Sequence, residues 1–118
     1  MKRFLIRKVI GESMLPTIKP GTLIIARRTG VYRPGRIVLI RHKGLDKIKR
    51  LQDITDTEVF VVGDNAVAST DSRSFGYISL SSVIGIVIWP RHNSYLNSTG
   101  TAQLASVLRA VTHFFGRT

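Results

Sequence analysis

The chain has 118 residues, with 18 Lys and Arg against 7 Asp and Glu, a net charge of +11, 43% hydrophobic residues and no cysteine. That length holds one domain and that apolar content supports a packed core, while the missing cysteines exclude disulfides, thiolate metal sites and a cysteine nucleophile. The charge is lopsided, since residues 1–50 carry 14 basic side chains against Glu12 and Asp46, and residues 51–118 carry four Arg against five acids; a basic half of this kind fits an anionic partner or a solvated face.

From the N-terminus, Phe4-Leu5-Ile6 is too short for the apolar region of a secretory signal, and the longest apolar stretch, Val83 to Trp89, has seven residues against the ~20 of a membrane-spanning helix. The chain is therefore expected to be soluble, peripheral, or cut from something longer. Thr22 to Ala26 follows Lys19-Pro20-Gly21 and Ile37 to Ile40 follows Arg33-Pro34-Gly35, each a turn signal ahead of a β-branched run. Asp46 to Leu51, Glu58 to Val62, Tyr77 to Leu80 and Val83 to Trp89 continue the series. Short strands at close spacing without a helical period predict a mostly β fold, a compact antiparallel domain over residues 1–90. Residues 91–100 (RHNSYLNSTG) are polar and turn-rich and read as a linker. Beyond them Leu104, Val107, Leu108, Val111 and Phe114 fall on one helical stripe, which predicts one C-terminal amphipathic α-helix over 101–116. Its stripe either packs on the β domain or lies in a membrane interface.

The histidines His42, His92 and His113 are scattered, so no metal site and no cofactor are expected, and a nucleophile has to be Ser, Thr or Lys. Ser13 stands out in Gly11-Glu12-Ser13-Met14-Leu15-Pro16-Thr17, between a flexible glycine and a proline. A serine needs a base, and a lysine serves when burial strips its water and disfavours the ammonium. In Asp46-Lys47-Ile48-Lys49-Arg50-Leu51, strand alternation puts Lys47 and Lys49 on one face, an arrangement that normally faces solvent. A third segment, Gly63 to Gly76 (GDNAVASTDSRSFG), is too polar for a strand. Asp71 and Arg73 can pair to brace it, and Ser69 and Ser72 offer hydroxyls.

Together these segments resemble the bacterial type I signal peptidase family, serine endopeptidases with a Ser/Lys dyad on a β fold shared with LexA-type proteins. The family's S-M-x-P-T box is present as Ser13 to Thr17, its lysine box as Ile48-Lys49-Arg50, and its G-D-N-x-x-x-S-x-D-S-R-x-x-G box as Gly63 to Gly76. The resemblance implies a catalytic domain over 1–90 in which Ser13 attacks the scissile carbonyl and Lys49 is the neutral base. It further implies that Ser69 orients the Lys49 amine, that the Ser13 N–H donates to the oxyanion, and that Asp71 and Arg73 form a structural ion pair. Met14 would line the dyad. An extended substrate would lie between strands matching Arg7 to Ile10, with Val9 and Ile10, and Asp46 to Ile48, with Lys47 and Ile48; small residues would be preferred at the first and third positions before the cut. Gly11 stands where many members carry a hydroxyl that assists the oxyanion, and only twelve residues precede Ser13 where members usually have a membrane-spanning helix.

The implied partner is a precursor protein with a leader peptide, processed at the cytoplasmic membrane by a peripheral enzyme held on anionic lipid by its basic half and the 101–116 helix. An alternative is a soluble cytoplasmic maturation protease that trims the leader of nickel-type superoxide dismutase, a group that often replaces the Arg after G-D-N, where this chain has Ala66. Self-cleaving LexA-type repressors share the dyad but lack the third box and carry a DNA-binding domain, so the sequence is read apart from them. Nucleic acid is not expected as a partner, because among residues 1–50 only Phe4 and Tyr32 could stack on bases.

Overall fold

A computed structural model describes residues 3–28 and 31–91. The predicted 101–116 helix and all but the first residue of the 91–100 linker lie outside the described residues.

The described chain forms seven strands, β1 (Phe4–Lys8), β2 (Leu23–Arg27), β3 (Ile37–His42), β4 (Leu45–Ile54), β5 (Glu58–Val62), β6 (Ile78–Ser79) and β7 (Val83–Trp89). They make one sheet in the order β1-β2-β7-β3-β4-β5-β6, with antiparallel pairing at every step. In a flat sheet β1 and β4, four steps apart, would be separated by about 19 Å. Instead Arg7 of β1 bonds Asp46 of β4 at 2.9 Å, so the sheet curls into a half-barrel and brings these strands together as two walls of a cleft. The alternating pairings make both walls run in the same direction.

The central strand explains the core. The continuous run Ile37-Val38-Leu39-Ile40 is buried throughout, as expected of a strand covered on both faces. Its odd residues, Ile37 and Leu39, join Leu5, Val9, Met14, Ile18, Ile24 and Ile48, while Val38 and Ile40 join Leu51, Val59, Val61, Ile78 and Val83. Gly85 of β7 lets the sheet close tightly, because a Cβ there would lie 3.0 Å from the Arg27 carbonyl oxygen and 3.3 Å from the Ala26 Cβ of β2.

Three details depart from the sequence expectation. The strand ahead of Ser13 is Phe4–Lys8 and ends before Val9 and Ile10. The strand expected over Tyr77 to Leu80 shortens to two residues, since the Ser79 side chain accepts from the Ser81 N–H and starts a 3-10 turn at Leu80–Ser82. A one-turn helix, α1 (Ser72–Phe75), forms inside the third box because the Asp71 side chain caps it by accepting from the Arg73 N–H.

Candidate active site

Ser13 sits in the turn that follows β1, on a segment pinned at both ends by backbone bonds. The Val9 N–H donates to Thr22 O at 2.8 Å and the Ile18 N–H to Met14 O at 2.9 Å. Gly11 adopts a φ of +83°, a conformation that favours glycine and that turns the chain out of the strand. Asn65 holds the turn from outside: its N–H donates to Ser13 O at 2.8 Å and its side-chain amide to Glu12 O at 3.1 Å. Among the described residues the Ser13 N–H has no acceptor, which leaves it available to a developing oxyanion.

Lys49 lies on β4 and is 3% exposed. The two-lysine face expected to meet solvent does so only as far as Lys47; by alternation the same face runs on to Leu51, a member of the second core cluster. Burial therefore pulls the Lys49 amine below its ordinary 10.5, the Asp71 carboxylate opposes this, and Lys47 and Arg73 add to it. The Lys49 Nζ donates to Ser69 Oγ at 2.8 Å, and Ser69 Oγ donates to Asp71 Oδ2 at 2.7 Å.

Asp71 is completely buried. Burial alone would raise its carboxyl pKa, but the Arg73 guanidinium and hydrogen bonds from the Gly63 N–H, Ser69 and the Arg73 N–H hold it well below the usual range. It is consequently an acceptor only. The single hydroxyl proton of Ser69 is committed to Asp71, so Ser69 can only accept from Lys49. A neutral Lys49 amine then spends an N–H on Ser69 and keeps its lone pair for another proton.

The three boxes are tied to one another. Arg50 donates bidentately to Asp64 at 2.9 and 2.8 Å and to Gly35 O at 2.8 Å, and Thr17 donates to Asp64 from the first box. Gly63 is a point of close approach, since a Cβ there would lie 2.6 Å from the Ser13 carbonyl oxygen and 2.7 Å from the Ser69 Cβ. Ser72 accepts from the Val61 N–H at 2.9 Å and fixes the third box to β5. Thr17, Asp64 and Asn65 were not singled out from the sequence; their only signal is that they are fixed positions of the boxes.

Ser13 and Lys49 open on one cleft of about 550 Å³, lined also by Val9, Ile10, Met14, Lys47 and Ile48. Val9, Met14 and Ile48 reach it from the core, whereas Ile10 is 89% exposed at its rim. Lys47 extends over the Phe75 ring, with Nζ 5.9 Å from the centroid. Among the described residues no group of His, Asp and Glu has the arrangement of a metal site.

Compared with known proteins, the chain matches the model of the family described as Peptidase S24-like over residues 2–88, a span that contains all three boxes. No curated protein matches it. The family match sets the chain in the wider S24/LexA-like peptidase group and not specifically among type I signal peptidases, so the separation from LexA-type proteins drawn from the sequence does not hold at family level. With the matched span covering most of its length, the chain belongs to the Peptidase S24-like family.

Proposed function

We infer that the protein is a serine endopeptidase that uses Ser13 and Lys49 to remove leader segments from precursor proteins. The observation that carries this reading is the buried Lys49 amine, bonded to Ser69, whose proton is committed to Asp71, and opening on the same cleft as Ser13. A lysine buried only to stabilise the fold would carry a desolvation cost with no return, and the Peptidase S24-like match supports peptide-bond hydrolysis as the chemistry.

In the first step Ser13 Oγ attacks the scissile carbonyl carbon while its proton passes to neutral Lys49 Nζ. The Ser13 N–H donates to the resulting oxyanion, a contribution worth about 2.7–4 kcal/mol where single donors have been removed from other enzymes. Collapse breaks the C–N bond, and the Lys49 ammonium returns the proton to the leaving amine. A water molecule, deprotonated by Lys49, then attacks the acyl-serine; collapse breaks the Ser13 Oγ–C bond, the Lys49 ammonium returns the proton to Ser13 Oγ, and the acid is released. Ser69 fixes the direction of the amine throughout, and Asp71 and Arg73 fix Ser69.

The substrate lies extended in the cleft, with the β4 wall at Lys47 and Ile48 on one side and Val9 and Ile10 on the other. The basic first half holds the protein peripherally on an anionic membrane surface; Ala66 favours the alternative of a soluble maturation protease acting on one dedicated precursor. Incubation with a panel of precursor proteins, with mass spectrometry of the products, tests the activity. Wild type is expected to release leader fragments, and Ser13→Ala and Lys49→Ala to release none. Near wild-type turnover in either variant would overturn the dyad, and cleavage confined to the protein's own chain would overturn the role in leader removal.

A further inference from the structure

The end of the cleft away from Ser13 and Lys49 holds a charge cluster that the chemistry above does not use. Arg7 Nε donates to Asp46 Oδ2 at 2.9 Å, and Arg41 donates to Asp46 Oδ1 at 2.7 Å and to Oδ2 at 3.3 Å. The Arg7–Asp46 pair joins β1 to β4, the two walls between which a substrate strand would lie. Lys8, next to Arg7 on β1, also lines the cleft. One carboxylate thus pairs with two arginines, leaving the cluster positive even with Asp46 fully ionised, as its two arginine partners keep it.

The cluster is built so that one arginine can leave. Arg41 neutralises Asp46 by itself, so Arg7 can turn to another carboxylate without stranding Asp46 as an unpaired charge. The side chains of Arg7 and Asp46 are 35% and 22% exposed, and the exchange of one partly hydrated ion pair for another is inexpensive. Asp46 precedes Lys49 by three residues, about 10 Å of extended strand. A substrate strand alongside β4 reaches the cluster three to four residues from the bond under attack.

We propose that Arg7, with Lys8, forms a subsite that selects an acidic substrate side chain three to four residues from the scissile bond, Asp46 and Arg41 holding Arg7 in place until substrate arrives. The proposal rests on the peptidase reading and adds a substrate class to it. The test uses the full chain and peptides spanning a site cut by wild type, identical except for Glu, Gln or Lys at the third or fourth residue from the bond on either side. At one of these positions kcat/KM is expected to be about tenfold higher for Glu than for Lys, with the difference shrinking as salt is raised. In Arg7→Gln the ratio should fall to about twofold or less, and in Arg7→Lys it should be largely kept, which separates charge selection from loss of structure. Equal kcat/KM for Glu and Lys in wild type, or a preference that Arg7→Gln leaves intact, would overturn the subsite alone. Absence of any Ser13-dependent cleavage would overturn the peptidase reading and the subsite with it.

Discussion

Lys49 sets the pH response of stability and, under the proposed mechanism, of activity, and both rise as its amine loses a proton. Its folded pKa lies below 10.5, so between the two values the unfolded chain holds the extra proton; stability is reduced at and below the folded value and recovers as pH rises toward 10.5. Lys49→Met keeps the volume and removes the charge. It should abolish cleavage and raise the melting temperature at pH 7 by a few degrees, roughly 4–8 °C per kcal/mol for a domain of this size, with the gain fading toward pH 10; a lower melting temperature at pH 7 would show that the buried ammonium is better compensated than its surroundings indicate. The activity of wild type should rise with pH along a limb below the free-lysine value of ~10.4, which a kcat profile on a precursor peptide would read directly. For Asp71 the slope with pH has the same sign, in an acidic window, but the shift stabilises the fold where that of Lys49 costs it. Its depressed pKa contributes stability that is present above about 3.8 and is lost as pH falls below it, so Asp71→Asn should flatten the acid limb of a pH-melting curve while cutting kcat through the misdirected Ser69 hydroxyl.

At the scale of elements, the turn carrying Ser13, strand β4 and the Gly63 to Gly76 segment are held in register by side chains and by the backbone bond from the Asn65 N–H to Ser13 O, with no sheet pairing between the turn and the segment. Asp64 is the hub, joined to Arg50 and Thr17, and Asp64→Ala should cost about 1–3 kcal/mol through the stranded Arg50 and Thr17 donors, measured by urea unfolding. Gly63→Ala drives a Cβ into the Ser69 side chain and the Ser13 carbonyl; overpacking of this kind costs about 1–3 kcal/mol, and kcat should fall more than KM rises. The strands other than β1 were legible in the sequence because turn signals such as Pro20-Gly21 and Pro34-Gly35 bracket β-branched runs. Strand β1 was legible only through the resemblance, since its charged residues break the alternation, and α1 was hidden because one turn has no periodicity and depends on a single cap at Asp71. The dry environment of Lys49 was legible only as a requirement of the chemistry. Its cause, the passage of one strand face from the rim at Lys47 to the core at Leu51, is set by how the sheet curls, and no local pattern encodes that.

Across the whole molecule the excess charge and the cleft combine. Nonspecific attachment to anionic vesicles is expected for the proposed membrane contact, falling steeply as salt is raised from about 50 to 200 mM because the Debye length shortens across that range; co-sedimentation that does not respond to salt would point to apolar insertion instead. The linkage of Thr17 to Asp64 and of Asn65 to Ser13 has a separate consequence. Each contact closes a loop of roughly fifty residues, so no fragment that stops short of the third box contains a formed nucleophile turn, an oriented amine and a committed Ser69 proton together. Under the proposed mechanism a growing chain has no proteolytic capacity until the third box has been made and has docked on the first. Two inactive halves cut at the exposed Thr55–Glu58 turn should regain activity only on reassociation, which makes turnover itself a gauge of completed folding.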